Sequence, residues 1–290
     1  MKTEEENHMI QLGLRLHDAE KLPMEEMLPL VRKKGFTCAH LALSKLLKDV
    51  PCTASALTPG YAIYLKHAFE DAGIDIAILG NYLNLLSPDP EYLKVAYDKY
   101  FAHIRFAALL GCGMVGTETG CPNVEYQFCP ECRNENTLDL FIDRLRPVVE
   151  CAEKFGVIFA IEPVARHSVY DPKSCRKVLD AIHSPNLQVL FDPVNMLDMD
   201  NVDQREYLFD EALDLLGPDI AMLHLKDFVR TPGKGYGLKS VGAGTGEMDY
   251  TKILRYMKKE KPFLFATLEN TTPDNAVECR EKMQEIYDKV

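Results

Sequence analysis

The chain of 290 residues is 47% hydrophobic and 27% charged, with a formal net charge of −11, which suits one globular domain over residues 1–290 with a large core. The acidic balance speaks against a nucleic-acid partner, since phosphate binding needs clustered Lys and Arg, and no apolar run is long enough to span a membrane. The polar opening MKTEEENHM lacks a secretory h-region, and with nine cysteines the expectation is reduced thiols and a cytoplasmic protein.

Strand-like and helix-like patterns alternate about every 30 to 35 residues, the rhythm of βα units. The first strand is expected near Ile10–Leu16, with a helix from Met24 to Lys34 stopped by Gly35. A second strand over Phe36–Ala42 leads to a helix from Pro59 to Ala72, again stopped by a glycine, Gly73. The third strand, Asp75–Leu79, precedes a helix that begins after Pro90 and ends before Gly111. The fourth, Met114–Thr117, opens a long loop, Glu118 to Asn136, followed by a helix over Leu138–Lys154. Then come strand Val157–Glu162, helix Lys173–Ile182, strand Leu187–Asp192 and helix Arg205–Leu216. The last two units join strand Ile220–Leu225 to helix Thr251–Lys258, and strand Phe263–Leu268 to a terminal helix with Thr272 as N-cap and Pro273 at its first position. Eight units in a row indicate a closed (β/α)8 TIM barrel. An open, doubly wound sheet is the alternative, but no GxGxxG follows the first strand to support it.

Four of these strands end an apolar run in a residue that binds hard or borderline metal ions. They are Glu162 in VIFAIEP, Asp192 in QVLFDPVN, His224 in AMLHLKD and Glu269 in FLFATLEN. Taken singly, a strand-end carboxylate is often a helix cap or a salt bridge, and a histidine such as His224 is as often a satisfied core residue. In a barrel all four emerge at the C-terminal mouth, where active sites sit. Carboxylates held that close to apolar residues are costly unless paired, and a shared cation relieves the cost. Three carboxylates and an imidazole suit one divalent ion, Mn²⁺, Mg²⁺, Co²⁺ or Zn²⁺.

Other polar residues reach the same mouth. His17 and Asp18 follow the first strand and Glu118 the fourth, as candidate substrate contacts. His167, in the loop past Glu162, could donate to a substrate oxygen or orient a ligand. Lys226 and Asp227 come straight after His224, and in an alternating strand one of them faces the mouth; Asp227 could steady the imidazole from behind. Gly242-Ala243-Gly244-Thr245-Gly246 is either a backbone phosphate cradle or a plain loop whose Asp249 caps the next helix. In the long loop, Cys129 and Cys132 form a CPEC sequence with Cys121 nearby. That is half of a zinc or redox site, or simply three reduced thiols in a lid.

The segments IEP, FDPVN, HLKDF, GAGTGEMDY and LEN, in this order and spacing, resemble the xylose isomerase-like barrel superfamily. That superfamily holds sugar phosphate isomerases and epimerases, ketose 3-epimerases, hydroxypyruvate isomerase, inosose dehydratase and the apurinic endonucleases. The resemblance covers essentially the whole chain, most clearly from Glu118 onward, and names no substrate. It implies that Glu162, Asp192, His224 and Glu269 ligate one divalent metal, and that Arg230, six residues past His224, contacts substrate oxygens. In the epimerases two ligand glutamates flank a ketose and exchange the proton beside its carbonyl on opposite faces, through a metal-stabilised enediolate. By resemblance Glu162 and Glu269 take those positions. The implied activity is that of a divalent-metal-dependent sugar or sugar phosphate isomerase or epimerase, with a small carbohydrate as substrate and, by analogy, a homo-oligomeric state.

One departure is Asn195. Many members have DxxH after the sixth strand, whereas this chain reads Asp192-Pro193-Val194-Asn195. Asparagine can hydrogen-bond to a sugar hydroxyl, but it is a poor metal ligand and carries no proton near neutral pH. The change speaks against the three-zinc cluster of the endonucleases. It keeps open an idle barrel that binds a sugar or a partner subunit; among enzymes the alternative is an inosose-type dehydratase, in which the same enolate forms and a β-hydroxyl then leaves as water.

Overall fold

The computed structural model describes residues 10–46 and 50–290; the opening MKTEEENHM lies outside them. In chain order the elements are β1 (Gln11–Arg15), α1 (Met24–Lys33), β2 (Cys38–Leu41), α2 (Leu43–Leu46), α3 (Pro59–Ala72), β3 (Asp75–Gly80) and α4 (Pro90–Leu110). They continue with β4 (Met114–Glu118), α5 (Glu135–Phe155), β5 (Ile158–Glu162), α6 (Pro172–Ile182), β6 (Leu187–Phe191) and α7 (Arg205–Leu216). The chain ends with β7 (Ile220–Arg230), β8 (Leu238–Gly242), α8 (Thr251–Glu260), β9 (Phe265–Leu268) and α9 (Ala276–Lys289). Local chemistry sets the helix limits. The Thr58 hydroxyl accepts the Tyr61 N–H at the start of α3, the Asp89 carboxylate accepts two N–H groups at the start of α4, and Asp171 and Ser174 cap α6 reciprocally. Proline opens each of these helices, and α3 stops at Gly73, whose φ of +65° a side chain would resist.

Strands β1 to β6 pair in parallel in sequence order, β6 pairs with β7, β7 with β9, and β9 with β1. Eight parallel strands therefore close on themselves, and the open-sheet alternative is excluded. Side chains alternate across that wall. In β7, Leu223 and Leu225 join the apolar layer beneath the helices, while Met222 joins Cys38, Ala77, Ile78, Met114, Ala160 and Leu190 in a separate buried cluster drawn from six strands. The same alternation puts His224 and Lys226 on the face of Met222, toward the C-terminal mouth.

Close packing of the wall has one clear demand. A Cβ at Gly13 would lie 2.6 Å from the Cys38 carbonyl oxygen on the neighbouring strand. Backbone cannot step aside, so Gly13→Ala is expected to destabilise the barrel by about 1–3 kcal/mol, the usual cost of overpacking. A thermal melt of the variant checks it; an unchanged midpoint would mean that the β1–β2 pair yields.

Several elements differ from the sequence reading; α2 has no counterpart in it, and α5 begins at Glu135 rather than Leu138. Helix α9 begins at Ala276 rather than Pro273, because a turn intervenes: the Thr272 carbonyl accepts the Asn275 and Ala276 N–H groups, and the Asn275 side chain accepts the Thr272 N–H. Strand β7 runs on to Arg230 and folds back through an antiparallel hairpin with β8, Lys226 opposite Gly242 and Arg230 opposite Leu238. The turn between them uses Gly233, Gly235 and Gly237, all at positive φ. Lys226 and Asp227, expected just past the end of the strand, lie within β7 at the point where it leaves the barrel.

Candidate active site

Glu162 ends β5, Asp192 follows β6, His224 lies within β7 and Glu269 follows β9, and all four side chains are buried at the mouth. His224 Nδ1 stands 3.6 Å from Glu162 Oε1 and 3.3 Å from Glu269 Oε1, so the two glutamates converge on one imidazole nitrogen. Two overlapping donor trios result, Glu162 with Asp192 and His224, and His40 with His224 and Glu269, each with its donor atoms within 4.8 Å of one another. Bonds of about 2.0–2.3 Å to one ion require that spacing. The polar accounting also points to a cation. Both nitrogens of His224 and Nδ1 of His40 are buried without a hydrogen bond, an arrangement native structures rarely leave uncompensated. The donor set therefore fits a divalent ion, with Glu162, Asp192, His224 and Glu269 as the residues that could hold it and His40 adjoining.

Cationic side chains offset part of the negative charge. Lys226 Nζ lies 2.6 Å from Asp192 Oδ2 and 3.2 Å from Glu269 Oε2, and Arg15 Nη1 lies 3.1 Å from the same Glu269 oxygen. Asp192 Oδ1 accepts the backbone N–H groups of Val194 and Asn195. Burial, with repulsion from Glu162 and Glu269, outweighs Lys226 and pushes the Asp192 carboxyl up to about 6. Burial would raise Glu269 too, but His224, Lys226 and Arg15 outweigh it and hold Glu269 well below the usual carboxylate range. Lys226 thus serves as a built-in counter-ion that a divalent ion must share its carboxylates with. Lys226→Met is expected to lower the melting temperature of metal-free protein and to tighten Mn²⁺ binding at least about tenfold, about 1.4 kcal/mol, when titrated calorimetrically. Weaker binding would instead mean that Lys226 acts chiefly by orienting its two partners.

The remaining candidates divide. Glu118 and His167 come together: His167 Nε2 lies 3.9 Å from Glu118 Oε2, the Tyr126 hydroxyl donates to that oxygen at 3.1 Å, and the Tyr126 and His167 rings stack. Burial raises Glu118 and lowers His167 to about 4, which leaves His167 neutral near pH 7. The His17 ring packs edge-on against His40, which stacks on His224 with centroids 5.1 Å apart. Asn195 donates its side-chain amide to Glu162 Oε1 at 2.5 Å, so it fastens one of the two glutamates.

Arg230 is not brought to the cluster. On the β7–β8 hairpin its guanidinium pairs with Asp203 and Glu247 instead, because the strand has left the barrel wall before position 230. Asp227 does not reach the imidazole either: it points away from the mouth and accepts the N–H groups of Phe228, Gly246 and Met248. It thereby holds the segment Gly242 to Gly246 as a structural loop, with the Gly246 amide already used; Asp249 caps the next helix through the Thr251 N–H.

The sequence reading missed His40, Tyr82 and Arg15. His40 sits in an apolar strand, and its Nε2 meets the Tyr82 hydroxyl at 3.0 Å. Gly80 makes room for them, since a Cβ there would come within 2.4 Å of the imidazole. A histidine in a strand of small and apolar residues, followed by Gly-x-Tyr on the next strand, was the available signal.

A family model described as the xylose isomerase-like TIM barrel matches residues 28–285. The chain belongs to that family. No curated protein sequence matches it. Among solved structures, this xylose isomerase-like barrel is similar to a D-tagatose 3-epimerase-like protein at 18% identity, with a TM-score of 0.73 over 97% of this chain and 98% of that one. A probable 3-DHS dehydratase from Bacillus anthracis is 15% identical, with a TM-score of 0.70 over 96% and 99%. The IOLI protein, solved with a bound zinc atom, is 17% identical, with a TM-score of 0.70 over 97% and 99%. At these identities the likeness is one of fold. No helix among the described residues is long and apolar enough to cross a membrane.

Proposed function

We propose that this barrel is a divalent-metal-dependent isomerase or epimerase of a small sugar or sugar phosphate. The observation that carries the reading is the pair of buried glutamates, Glu162 and Glu269, whose Oε1 atoms both approach His224 Nδ1. A divalent ion held by Glu162, Asp192, His224 and Glu269 would polarise a substrate carbonyl as a Lewis acid. The protein's own groups supply the proton chemistry. Glu269, kept ionised by Lys226 and Arg15, accepts the proton from the carbon beside the carbonyl. Glu162, steadied at Oε1 by Asn195, returns or removes it on the other face. Arg15 and Lys226 hold Glu269 in place through Oε2, which leaves Oε1 turned toward His224. Glu118, His167, His17 and Asn195 line the approach and supply hydrogen bonds to hydroxyl groups. A cavity of about 180 Å³ beside Asn195, bordered by Arg166, Asp198 and Tyr236, offers further polar contacts.

Likeness of fold to the probable dehydratase favours one second reading, elimination of a β-hydroxyl after the same proton abstraction. A panel of ketoses and their phosphates, incubated with Mn²⁺-loaded protein in D₂O, distinguishes the two. Deuterium at the carbon next to the carbonyl, with an isomeric product, is the expected result. A product that has lost water assigns the lyase. Binding without exchange or product across the panel would sink both and leave a binding barrel.

A further inference from the structure

The long loop after β4 carries a thiol cluster that the chemistry above does not use. Cys129 and Cys132 bracket one turn of 3-10 helix, in which the Cys132 N–H donates to the Cys129 carbonyl at 2.9 Å. Such a closed turn holds its end Cα atoms within about 7 Å, close to the 4.4–6.8 Å window of disulfides. The two Sγ atoms already lie 3.8 Å apart, so rotation of the side chains suffices to bring them to bonding distance. Cys129 is partly exposed and Cys132 fully buried behind it. The Asn123 side-chain amide donates to Cys129 Sγ at 3.3 Å, and a third thiol, Cys121, donates to the Arg166 carbonyl at 3.4 Å.

We propose that Cys129 and Cys132 form a thiol–disulfide exchange site in this loop, oxidised by low-molecular-weight disulfides of the glutathione type. The neighbouring thiols Cys121 and Cys129 hold Cys132 down at about 6, against burial, while Cys129 and Cys121 are held up, so one thiolate sits beside two thiols. The proton of the exposed Cys129 passes to Cys132 Sγ, and the Cys129 sulfur attacks the external disulfide. One S–S bond breaks, a mixed disulfide forms on Cys129, and the first small thiolate leaves and takes the proton from Cys132. The Cys132 thiolate then attacks Cys129 Sγ, closing the internal disulfide and expelling the second small thiolate, which is protonated by water. The small disulfide is reduced to two thiols and the protein dithiol is oxidised, so electrons balance.

The test is equilibration of full-length reduced protein with glutathione buffers of increasing oxidised fraction, followed by acid quench, alkylation and peptide mapping. The expected result is a Cys129–Cys132 bridge that forms and reverses with the buffer while Cys38, Cys112 and Cys175 stay alkylatable after unfolding. In Cys132→Ser a glutathione adduct should instead accumulate on Cys129, and Cys121→Ser should still bridge. Circular dichroism melts of both variants separate loss of exchange from loss of fold. Cys129 left reduced in every buffer, or a bridge made by Cys121, would overturn the proposal. So would zinc that co-purifies with the wild-type protein in one-to-one ratio and is lost in Cys132→Ser, because the thiols would then be metal ligands.

Discussion

Glu269→Gln is expected to slow exchange of the proton beside a ketose carbonyl by about 10²–10⁴-fold, the contribution of one positioned acid–base group. The amide keeps the shape of the side chain but cannot accept a proton, and it ligates metals more weakly. It also leaves Arg15 and Lys226 without their shared carboxylate oxygen, so a melt and a metal titration belong with the rate measurement. Glu162→Gln is expected to fall in the same range. Asn195 touches this side chain from outside, and the glutamine can still meet it through its carbonyl oxygen. If the two glutamates serve opposite faces of the sugar, each variant with metal still bound keeps wash-out from one epimer and loses it from the other. Full exchange in both variants at unchanged metal content would place the bases elsewhere, with the Glu118–His167 pair next to test.

His224→Ala and Asp192→Ala are expected to weaken Mn²⁺ binding to chelator-stripped protein by more than about 100-fold. Even groups that only support a ligand are worth roughly 10–100-fold in metal affinity, and these two supply the donor atoms themselves. His224 is shared by both donor trios, so its loss dismantles each of them. Asp192 is the partner of Lys226, and its removal leaves that buried ammonium facing Glu269 alone. Calorimetric titration reads the effect directly. Wild-type affinity in either variant would show that the ion sits at other residues.

The barrel and the cluster were legible because both follow from strong periodic signals. Apolar runs of strand length, stopped by Glu162, Asp192, His224 and Glu269, could only converge if the strands were parallel and closed, and the pairing of β6 with β7 and β9 with β1 closes them. Helix limits at Pro59, Gly73, Pro90 and Gly111 were equally local, set by caps and glycines. What escaped was tertiary. Arg230 has the spacing of a site residue, but the hairpin carries it to Asp203 and Glu247. His40 and Arg15 carry no motif of their own; a stacked ring on His224 and an ion pair with Glu269 are visible only once β2 and β1 stand next to β9. The sequence alone offers Lys226 and Asp227 as alternatives for the mouth. Strand alternation decides between them: Lys226 lies on the face of His224, and Asp227 secures the loop behind.

Anomalous diffraction from a crystal of this protein soaked in Mn²⁺ addresses the central claim most directly. The account predicts one strong peak at the C-terminal mouth, within about 2.0–2.4 Å of donor atoms from Glu162, Asp192, His224 and Glu269, with Lys226 near the outer oxygens. A peak that leaves any two of these four side chains out of bonding distance, or one confined to the Cys129–Cys132 loop, would contradict it.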